Sequence, residues 1–328
     1  MLKVGLVGCG FMGEMHANCY KNIDGVELVA LADIRKEKAE ALTAGTNAVI
    51  YETGKELIEK ADVDIIDICL PTFLHAEHAI LAMDKVKYVF VEKPVALTYE
   101  EAQEMIKKQE ATGCNVQIGQ VIRFWDEYAK LRELMAEGKL GKVINANFRR
   151  ISPVPTWGWN GWLSDIPLSG GAAQDLHVHD IDYVLSLFGE PKEIASVKNT
   201  FGEQNSYINS LLSYDGFTVT VEGTWGLPET HPFSATYRVV FENGVLSTES
   251  GKMMLYTNDA AEEIKIEKKD IGAGASGGNI SDLGGYYNEL VYFTDCAKAG
   301  AKVEKATLSD AAESLRFVLS EIKNAKNY

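Results

Sequence analysis

Three glycines near the start of the sequence constrain its fold more than any other feature. The stretch KVGLVGCGFMGEMHA places Gly8, Gly10 and Gly13 between an apolar run and a helical pattern. At a strand-to-helix turn, this spacing lets the backbone approach a pyrophosphate, whose charge the helix N-terminus stabilises. Asp33 ends the next apolar run, 20 residues after Gly13, where an acid can bind ribose hydroxyls. Together these residues predict a dinucleotide site; the alternative is a glycine-lined turn that binds nothing.

The first 120 residues alternate short apolar runs with helical patterns. The runs expected to form buried strands are KVGLVG, VELVALAD, VDIIDICLP, KYVFVEKP and NVQIG. The helical patterns start near Met12, Arg35, Thr53, His75 and Thr98. Such alternation is typical of parallel strands joined by crossover helices. We therefore expect a doubly wound α/β domain over residues 1–122.

The pattern changes near residue 122, and residues 123–328 are expected to form an α+β domain. A helix from Trp125 to Glu137 and the strand KVINANFRR precede a loop rich in Pro and Trp. From 192 to 267 the chain becomes a series of apolar runs, and the turns YDGF and ENGV favour hairpins. A Gly-rich loop at 272–285 and two helices follow. Consecutive strands with short turns predict an antiparallel sheet.

Charge and cysteine content exclude several classes of partner. The chain has 32 Lys and Arg against 47 Asp and Glu, a formal charge of −15. Such a chain repels nucleic acid and anionic membrane surfaces.

Its five cysteines are scattered without a C-x-x-C pair, which is typical of reduced thiols. With no apolar run of about 18 residues and no cleavage site after the glycine-interrupted start, we expect a cytoplasmic protein.

The residues around the second apolar run bear on cofactor choice. Asp33 repels a 2′-phosphate, which favours NAD over NADP. Arg35 and Lys36 follow closely and can offset that repulsion, so NADP stays open. Phe11 and Met12, inside the glycine motif, are further candidate cofactor contacts.

The stretch SGGAAQDLHVHDIDYVLSLFG, residues 169–189, crowds five ionisable side chains into eight positions. On an α-helix with about 100° per residue, four polar residues form one narrow stripe that should face a cleft: Asp175, His179, Asp182 and Ser186. His177 and Asp180 lie on the far side and are expected to make structural contacts. The two histidines diverge, and Asp175 with His179 gives only two ligands, so we expect no metal.

Within the stripe, His179 suits proton transfer because imidazole titrates near neutral pH. Asp175, one turn away, can orient His179 or bind a substrate hydroxyl. Asp182 is expected to anchor its own helix or His179. The alternative is that His179 is a hydrogen-bonded core histidine.

The motifs VEKPVAL, CLPTFLHAEHA and G-G-x-x-x-D-x-x-x-H-D occur in this order along the chain. They resemble the Gfo/Idh/MocA family of glucose–fructose oxidoreductase, inositol dehydrogenase and related sugar dehydrogenases, over nearly the whole chain. The resemblance implies a Rossmann domain followed by a domain with a large open sheet, which commonly forms a homodimer or homotetramer interface. This chain departs mildly from the family motif at Ala172, where a third glycine is common.

The resemblance also implies roles for single residues. Lys93 of the Glu92-Lys93 pair would lie near the nicotinamide and the substrate hydroxyl, and Asp175 and His179 correspond to the Asp and His of D-x-x-x-H. The position of His179 is a Tyr in glucose–fructose oxidoreductase, so the chain is more similar to inositol dehydrogenase. Independently, Lys93 follows a buried strand at the carboxyl edge of the sheet, where open α/β folds bind ligands. The alternative is that Lys93 pairs with Glu92 on the surface.

Further candidates surround these residues. Pro71 and His75 follow an apolar run within reach of the nicotinamide ribose, although His75 can equally be the solvated start of a helix. Arg123, after the last strand of the first domain, is a candidate polar contact for substrate. Three tryptophans of TWGWNGWLSD can pack on a polyol ring, or can fill a crevice or an oligomer contact: Trp157, Trp159 and Trp162.

Together with the resemblance, these residues predict an NAD(P)-dependent oxidoreductase that interconverts a secondary alcohol and a ketone on a sugar or cyclitol. His179 is the expected base, Lys93 the hydroxyl partner and Asp175 the orienting group. One alternative is an enzyme of the same family that oxidises a glycoside, or cleaves it with no net redox change. The other is a nucleotide-sensing regulator without turnover.

Overall fold

The computed structural model describes residues 1–201, 204–266 and 283–327. The chain forms two compact units. The first comprises Met1–Val121, Trp157–Trp162 and the described part of Asp270–Leu315. The second comprises Ile122–Thr156, Arg316–Tyr328 and the described part of Leu163–Lys269. The units thus divide the chain beside the predicted boundary at 122, and two later segments return to the first unit.

The first unit contains a six-stranded parallel sheet in the order β3-β2-β1-β4-β5-β6. Its strands are β1 (Leu2–Val7), β2 (Val26–Ala32), β3 (Val49–Tyr51), β4 (Ile65–Ile68), β5 (Tyr88–Val91) and β6 (Asn115–Ile118). The order reverses between β1 and β4, so loops at their carboxyl ends diverge there and leave room for a ligand. The five predicted strands are confirmed. The sequence analysis omitted β3, which has three residues and lies at the sheet edge.

The helices between these strands begin within one residue of their predicted starts. They are α1 (Phe11–Tyr20), α2 (Lys36–Leu42), α3 (Gly54–Lys60), α4 (His75–Met83) and α5 (Tyr99–Thr112). For α3 and α5, a capping threonine explains this agreement. The Thr98 side chain accepts from the backbone N–H of Glu101, whose side chain returns to the Thr98 backbone. Gly113 then ends α5 with φ of 68°.

The second unit begins at Ile122, after β6. Its first elements are α6 (Asp126–Glu137), β7 (Val143–Pro153), α7 (Ile166–Ser169), a π-helical segment (Ala173–His177) and α8 (Val178–Phe188). The strands that follow are β8 (Glu193–Phe201), β9 (Gln204–Ser213), β10 (Thr218–Leu227), β11 (Ser234–Phe241), β12 (Gly244–Ser247), β13 (Met254–Tyr256) and β14 (Ala261–Glu263). The chain closes with α9 (Gly284–Ala299), α10 (Leu308–Asn324) and β15 (Lys326–Asn327).

The second sheet has nine strands in the order β14-β13-β12-β11-β7-β10-β9-β8-β15. Most neighbours are antiparallel, as predicted. Two pairs are parallel instead, β10 with β7 and β15 with β8. Strand β7 lies between β11 and β10 although a long stretch of chain separates it from both. Side-chain alternation along a strand does not reveal such distant partners.

The predicted Gly-rich loop at 272–285 falls largely outside the described residues, as does the end of the predicted strand series at 267. Its last two residues, Gly284 and Gly285, are helical and begin α9. Burial explains why two glycines are helical here. Tyr286, Leu290 and Phe293 of the same helix are at most 5% exposed. Their burial stabilises α9 by more than the roughly 1 kcal/mol that each helical glycine costs. Across the described ranges, no helix combines the length and apolarity needed to cross a membrane.

Candidate cofactor and catalytic sites

The glycine loop after β1 fits a bound dinucleotide. Gly8 has φ of 95°, and a Cβ there would lie 2.5 Å from the Cys69 carbonyl oxygen. A Cβ on Gly13 would lie 2.0 Å from the Gly8 carbonyl oxygen. A Cβ on Gly10 would meet only the Arg35 side chain, at 3.6 Å. Gly8 and Gly13 therefore allow close packing, whereas the backbone at Gly10 is crowded only by the Arg35 side chain, so that a pyrophosphate can approach it at the start of α1.

Asp33 connects this loop to the end of β2. One carboxylate oxygen accepts the Cys9 backbone N–H at 2.9 Å, and the other accepts the Arg35 backbone N–H at 2.8 Å. The Arg35 guanidinium also contacts the carboxylate, with Nε 3.2 Å from Oδ1 and Nη2 3.3 Å from Oδ2. Burial, with Asp33 nearby, raises the pKa of Cys9 to about 12, so Cys9 is a neutral thiol. The site therefore combines a fixed acid with an adjacent cation.

Trp157 lies against the glycine loop within the first unit. Its ring centroid is 4.9 Å from that of Phe11, and its side chain is 40% exposed. Trp159 and Trp162, like Met12, are half-buried. Within the predicted loop, residues 159–164 form a 3-10 segment, interrupted by left-handed Asn160 and Gly161.

His75 connects the ends of β4 and β5. It is 1% exposed, with Nδ1 2.7 Å from the Pro94 carbonyl oxygen and Nε2 2.7 Å from that of Leu70. Burial lowers its pKa, although the two carbonyls act in the opposite direction. A solvated helix start is therefore the wrong interpretation of His75. Pro71, half-buried, precedes a short 3-10 turn that leads into α4.

Lys93 follows β5 at the carboxyl edge of the sheet and is half-buried. Glu92 is 4% exposed, so a surface pair with Lys93 is excluded. The Glu92 carboxylate accepts the Lys93 backbone N–H at 3.2 Å and lies 3.1 Å from His16 Nε2. His16 was missed in the sequence analysis. Its signal was Asp67, an acid inside the apolar run VDIIDICLP, because a buried carboxylate requires a partner.

The segment that carries Asp175 and His179 belongs to the second unit. Residues Ala173–His177 are π-helical, and α8 continues from Val178. A π turn has more residues than an α turn, so the uniform helical wheel is wrong for this first turn. His179 is 9% exposed and Asp175 is half-buried. π turns occur frequently at functional sites.

Asp182 was expected on a stripe facing a cleft, but it is fully buried. Its carboxylate binds the Arg123 guanidinium in a bidentate arrangement, with Nε to Oδ2 at 2.6 Å and Nη2 to Oδ1 at 2.7 Å. Asp182 therefore anchors α8 to the segment that carries Arg123. This engages one edge of Arg123, and substrate binding by Arg123 stays a prediction.

The structural contacts predicted for His177 and Asp180 are confirmed. Asp180 pairs with buried Arg150, whose Nε is 2.7 Å from Oδ2. His177 Nε2 lies 3.4 Å from Glu321 Oε2 in a fully buried pair. Among the described residues, two groups of three side chains could bind a metal, and both contain His16. Asp175 and His179 belong to neither group.

Two family models match consecutive parts of this chain. The model "Oxidoreductase family, NAD-binding Rossmann fold" matches residues 2–120, and the model "GFO/IDH/MocA C-terminal domain" matches residues 128–247. The chain is 30% identical to myo-inositol 2-dehydrogenase of Thermotoga maritima over 195 residues, 58% of this chain but just 56% of that protein. It is 28% identical to scyllo-inositol 2-dehydrogenase (NAD(+)) of Bacillus subtilis, covering 99% of this chain and 94% of that protein.

The fold is also found among solved structures. Levoglucosan dehydrogenase in complex with NADH and levoglucosan superposes with a TM-score of 0.85 at 19% identity, over 99% of this chain and 97% of that one. At that identity the likeness shows the fold alone. The two family models together cover most of the chain in the expected order, and the chain therefore belongs to the GFO/IDH/MocA family of oxidoreductases with an NAD-binding Rossmann domain.

Proposed function

We propose that this protein is an NAD-dependent dehydrogenase that interconverts a secondary alcohol and a ketone on a sugar or cyclitol. The observation that carries the proposal is the cofactor site, in which the glycine loop is fastened to Asp33 at the point where the sheet order reverses. Relatives named inositol dehydrogenases support a cyclitol substrate. Residues 1–122 would bind the cofactor, and residues 123–328 would bind the substrate and the partner subunit.

The proposed chemistry needs two protein groups at the reacting carbon. Bound NAD would accept the hydride from the C–H bond. Lys93 would donate a hydrogen bond to the hydroxyl oxygen, and His179 would take the hydroxyl proton as general base. Asp175 would orient His179 or bind a neighbouring hydroxyl. Because Lys93 and His179 would together do the work of a metal Lewis acid, activity should survive chelators.

The proposal is tested by turnover on a panel of sugars, cyclitols and their keto forms, measured by NADH absorbance. We expect NADH formation with a cyclitol or a pyranose, and NADH consumption with the matching ketone. Bound NAD that stays with the protein, together with substrate cleavage and no free NADH, would instead indicate the redox-neutral glycoside reaction. Tight NAD binding without turnover on any compound would indicate a regulator.

Variants of the two proposed catalytic residues test their roles separately. K93A and H179A should each lower kcat, by roughly 10²- to 10⁴-fold for loss of a general base. The Kd for NAD should change little in either variant. Near-full turnover by one variant on the true substrate would remove that residue from the mechanism.

We also propose that the protein is a cytoplasmic homodimer or homotetramer that associates through the nine-stranded sheet. The five cysteines are unbridged and buried, which supports a reducing compartment. One face of the sheet carries Leu211, 41% exposed, in register with Thr220 and Asn147. Light scattering on the wild type and L211E measures the association. A monomeric wild type would contradict it.

A further inference from the structure

A buried group of polar side chains underlies the turn that carries Lys93. Its members are at most 9% exposed and come from α1, β4, the residue after β4, the residue after β5, and α9: His16, Tyr20, Asp67, Cys69, Glu92 and Glu289. All belong to the first unit. Burying so many ionisable groups is costly unless they are paired. A group of this kind therefore requires a reason beyond packing.

Successive contacts between these side chains connect α1 to the backbone of Lys93. The Tyr20 hydroxyl donates to Asp67 Oδ2 at 2.8 Å, and the same oxygen lies 2.8 Å from His16 Nδ1. His16 Nε2 lies 3.1 Å from Glu92 Oε1, an ion pair that departs from a linear hydrogen bond. The other Glu92 oxygen accepts the Lys93 backbone N–H. His16 is thus the connection between Asp67 and the Glu92 carboxylate.

This series of contacts is charged at its centre. Burial alone would lower the pKa of His16, but the Asp67 carboxylate and the Cys69 sulfur together outweigh burial and raise it well above the ordinary value. Carboxylates face both ring nitrogens, which favours the doubly protonated imidazolium. The 2.8 Å separation of Nδ1 and Oδ2 is shorter than the roughly 3.3 Å expected between two ligands of a tetrahedral zinc ion. The geometry therefore favours a proton over a metal between these residues.

We propose that His16 is a positioning residue for Lys93: it fixes the Glu92 carboxylate, which in turn holds the backbone from which the Lys93 side chain projects. The proposal rests on the catalytic role of Lys93 proposed above. Gly119 supplies independent support, because a Cβ there would lie 2.8 Å from Glu92 Oε1. The chain therefore leaves space at Gly119 for the carboxylate to stay where His16 holds it.

Two substitutions at His16 separate positioning from mere stability. The amide nitrogen of H16N can replace Nδ1 and reach Asp67, but it cannot reach Glu92. The amide nitrogen of H16Q can replace Nε2 and reach Glu92, but it loses Asp67. Each variant deletes one buried contact, so a purely structural role predicts equal kcat in the two variants. Positioning predicts that H16Q keeps most of kcat while H16N loses roughly 10- to 100-fold, with KM for NAD unchanged in both.

Two further variants complete the test. H78Q is the matched control, since Nδ1 of buried His78 bonds the carbonyl oxygen of Leu74, the residue before α4, and it should keep full kcat. G119A should lower kcat as H16N does, because its methyl group would displace the Glu92 carboxylate. Urea unfolding of every variant identifies those that fail to fold.

Three results would overturn the proposal. One is equal kcat in H16N and H16Q, another is wild-type kcat in both H16N and G119A, and the third is stoichiometric metal in the wild type that H16N loses. K93A separates this inference from the proposed function. An inactive K93A with a fully active H16N refutes positioning alone. A fully active K93A refutes the role of Lys93, and positioning is refuted with it.

Discussion

Replacing Asp33 by serine perturbs the cofactor site where charge decides between NAD and NADP. At an effective dielectric constant of about 20, like charges about 4 Å apart repel by about 4 kcal/mol. Arg35 Nη2 lies 3.3 Å from the Asp33 carboxylate and offsets part of that repulsion, so this is an upper limit. Hydrogen bonds from ribose hydroxyls to the carboxylate add about 1.5–3 kcal/mol in favour of NAD. We expect the wild type to prefer NAD by roughly 30- to 1000-fold, since about 1.4 kcal/mol is tenfold.

D33S removes both effects and leaves Arg35 next to the position of a 2′-phosphate. The Kd for NAD should rise by roughly 10- to 100-fold, and the Kd for NADP should fall, so that the preference disappears or inverts. D33N is the matched control because its amide oxygen still accepts one backbone N–H, either that of Cys9 or that of Arg35. It loses the charge but keeps part of the loop contact, so its Kd values should lie between those of the wild type and D33S.

Isothermal titration of both cofactors at one ionic strength measures these constants, and thermal unfolding checks that the loop survives. Tighter NADP than NAD binding by the wild type would refute the reasoning. An unchanged ratio of the two Kd values in D33S would refute it as well, because Asp33 would then not contact the ribose.

Three further predictions concern other parts of the chain. D180A leaves buried Arg150 without its carboxylate, so the free energy of unfolding in urea should fall by about 3–5 kcal/mol, and a loss below about 1 kcal/mol would contradict this. Burial, together with nearby carboxylates, raises the pKa of Glu289 well above its ordinary value, so the folded protein keeps a proton that the unfolded chain loses. The free energy of unfolding should therefore fall by about 1.4 kcal/mol per pH unit above the ordinary pKa, and E289Q should remove that slope. W157A and W162A should each raise substrate KM at unchanged oligomer mass by light scattering; unchanged KM with dissociated subunits would make the segment structural.

Features that depend on neighbouring residues could be predicted from the sequence. The glycine loop is one case, since the close approaches at Gly8 and Gly13 follow directly from their spacing. Helix starts at Thr53 and Thr98 are another, because each threonine accepts a backbone N–H three residues later. Such signals lie within a few residues of the structure they specify.

Features that depend on partners far away along the chain could not be predicted from the sequence. The parallel pairing of β7 with β10 joins Asn145 to Thr218, and alternation along either strand is the same for any neighbour. The π turn before α8 leaves no compositional mark, although it changes where Asp175 points. The bidentate bond of Arg123 to Asp182 could not be foreseen either, because 59 residues of chain separate the two side chains. Sequence patterns assign a residue to a helix or strand, but they do not identify the charge that it faces.

The loops at the carboxyl edge of the first sheet are fastened to one another by single buried contacts. Gly8 packs against the Cys69 carbonyl after β4, and His75 joins the Leu70 and Pro94 carbonyls after β4 and β5. A loop held only by its own backbone would fluctuate independently of its neighbours, whereas shared contacts oblige the cofactor loop and the Lys93 turn to keep one geometry. Transfer of a hydride depends on reacting atoms held within a fraction of an ångström, so with Lys93 in its proposed role we expect this coupling to affect rate more than affinity. It also gives a reason for burying polar side chains here despite their cost: His75 and Glu92 each bond the backbone of a loop, which an apolar side chain could not do.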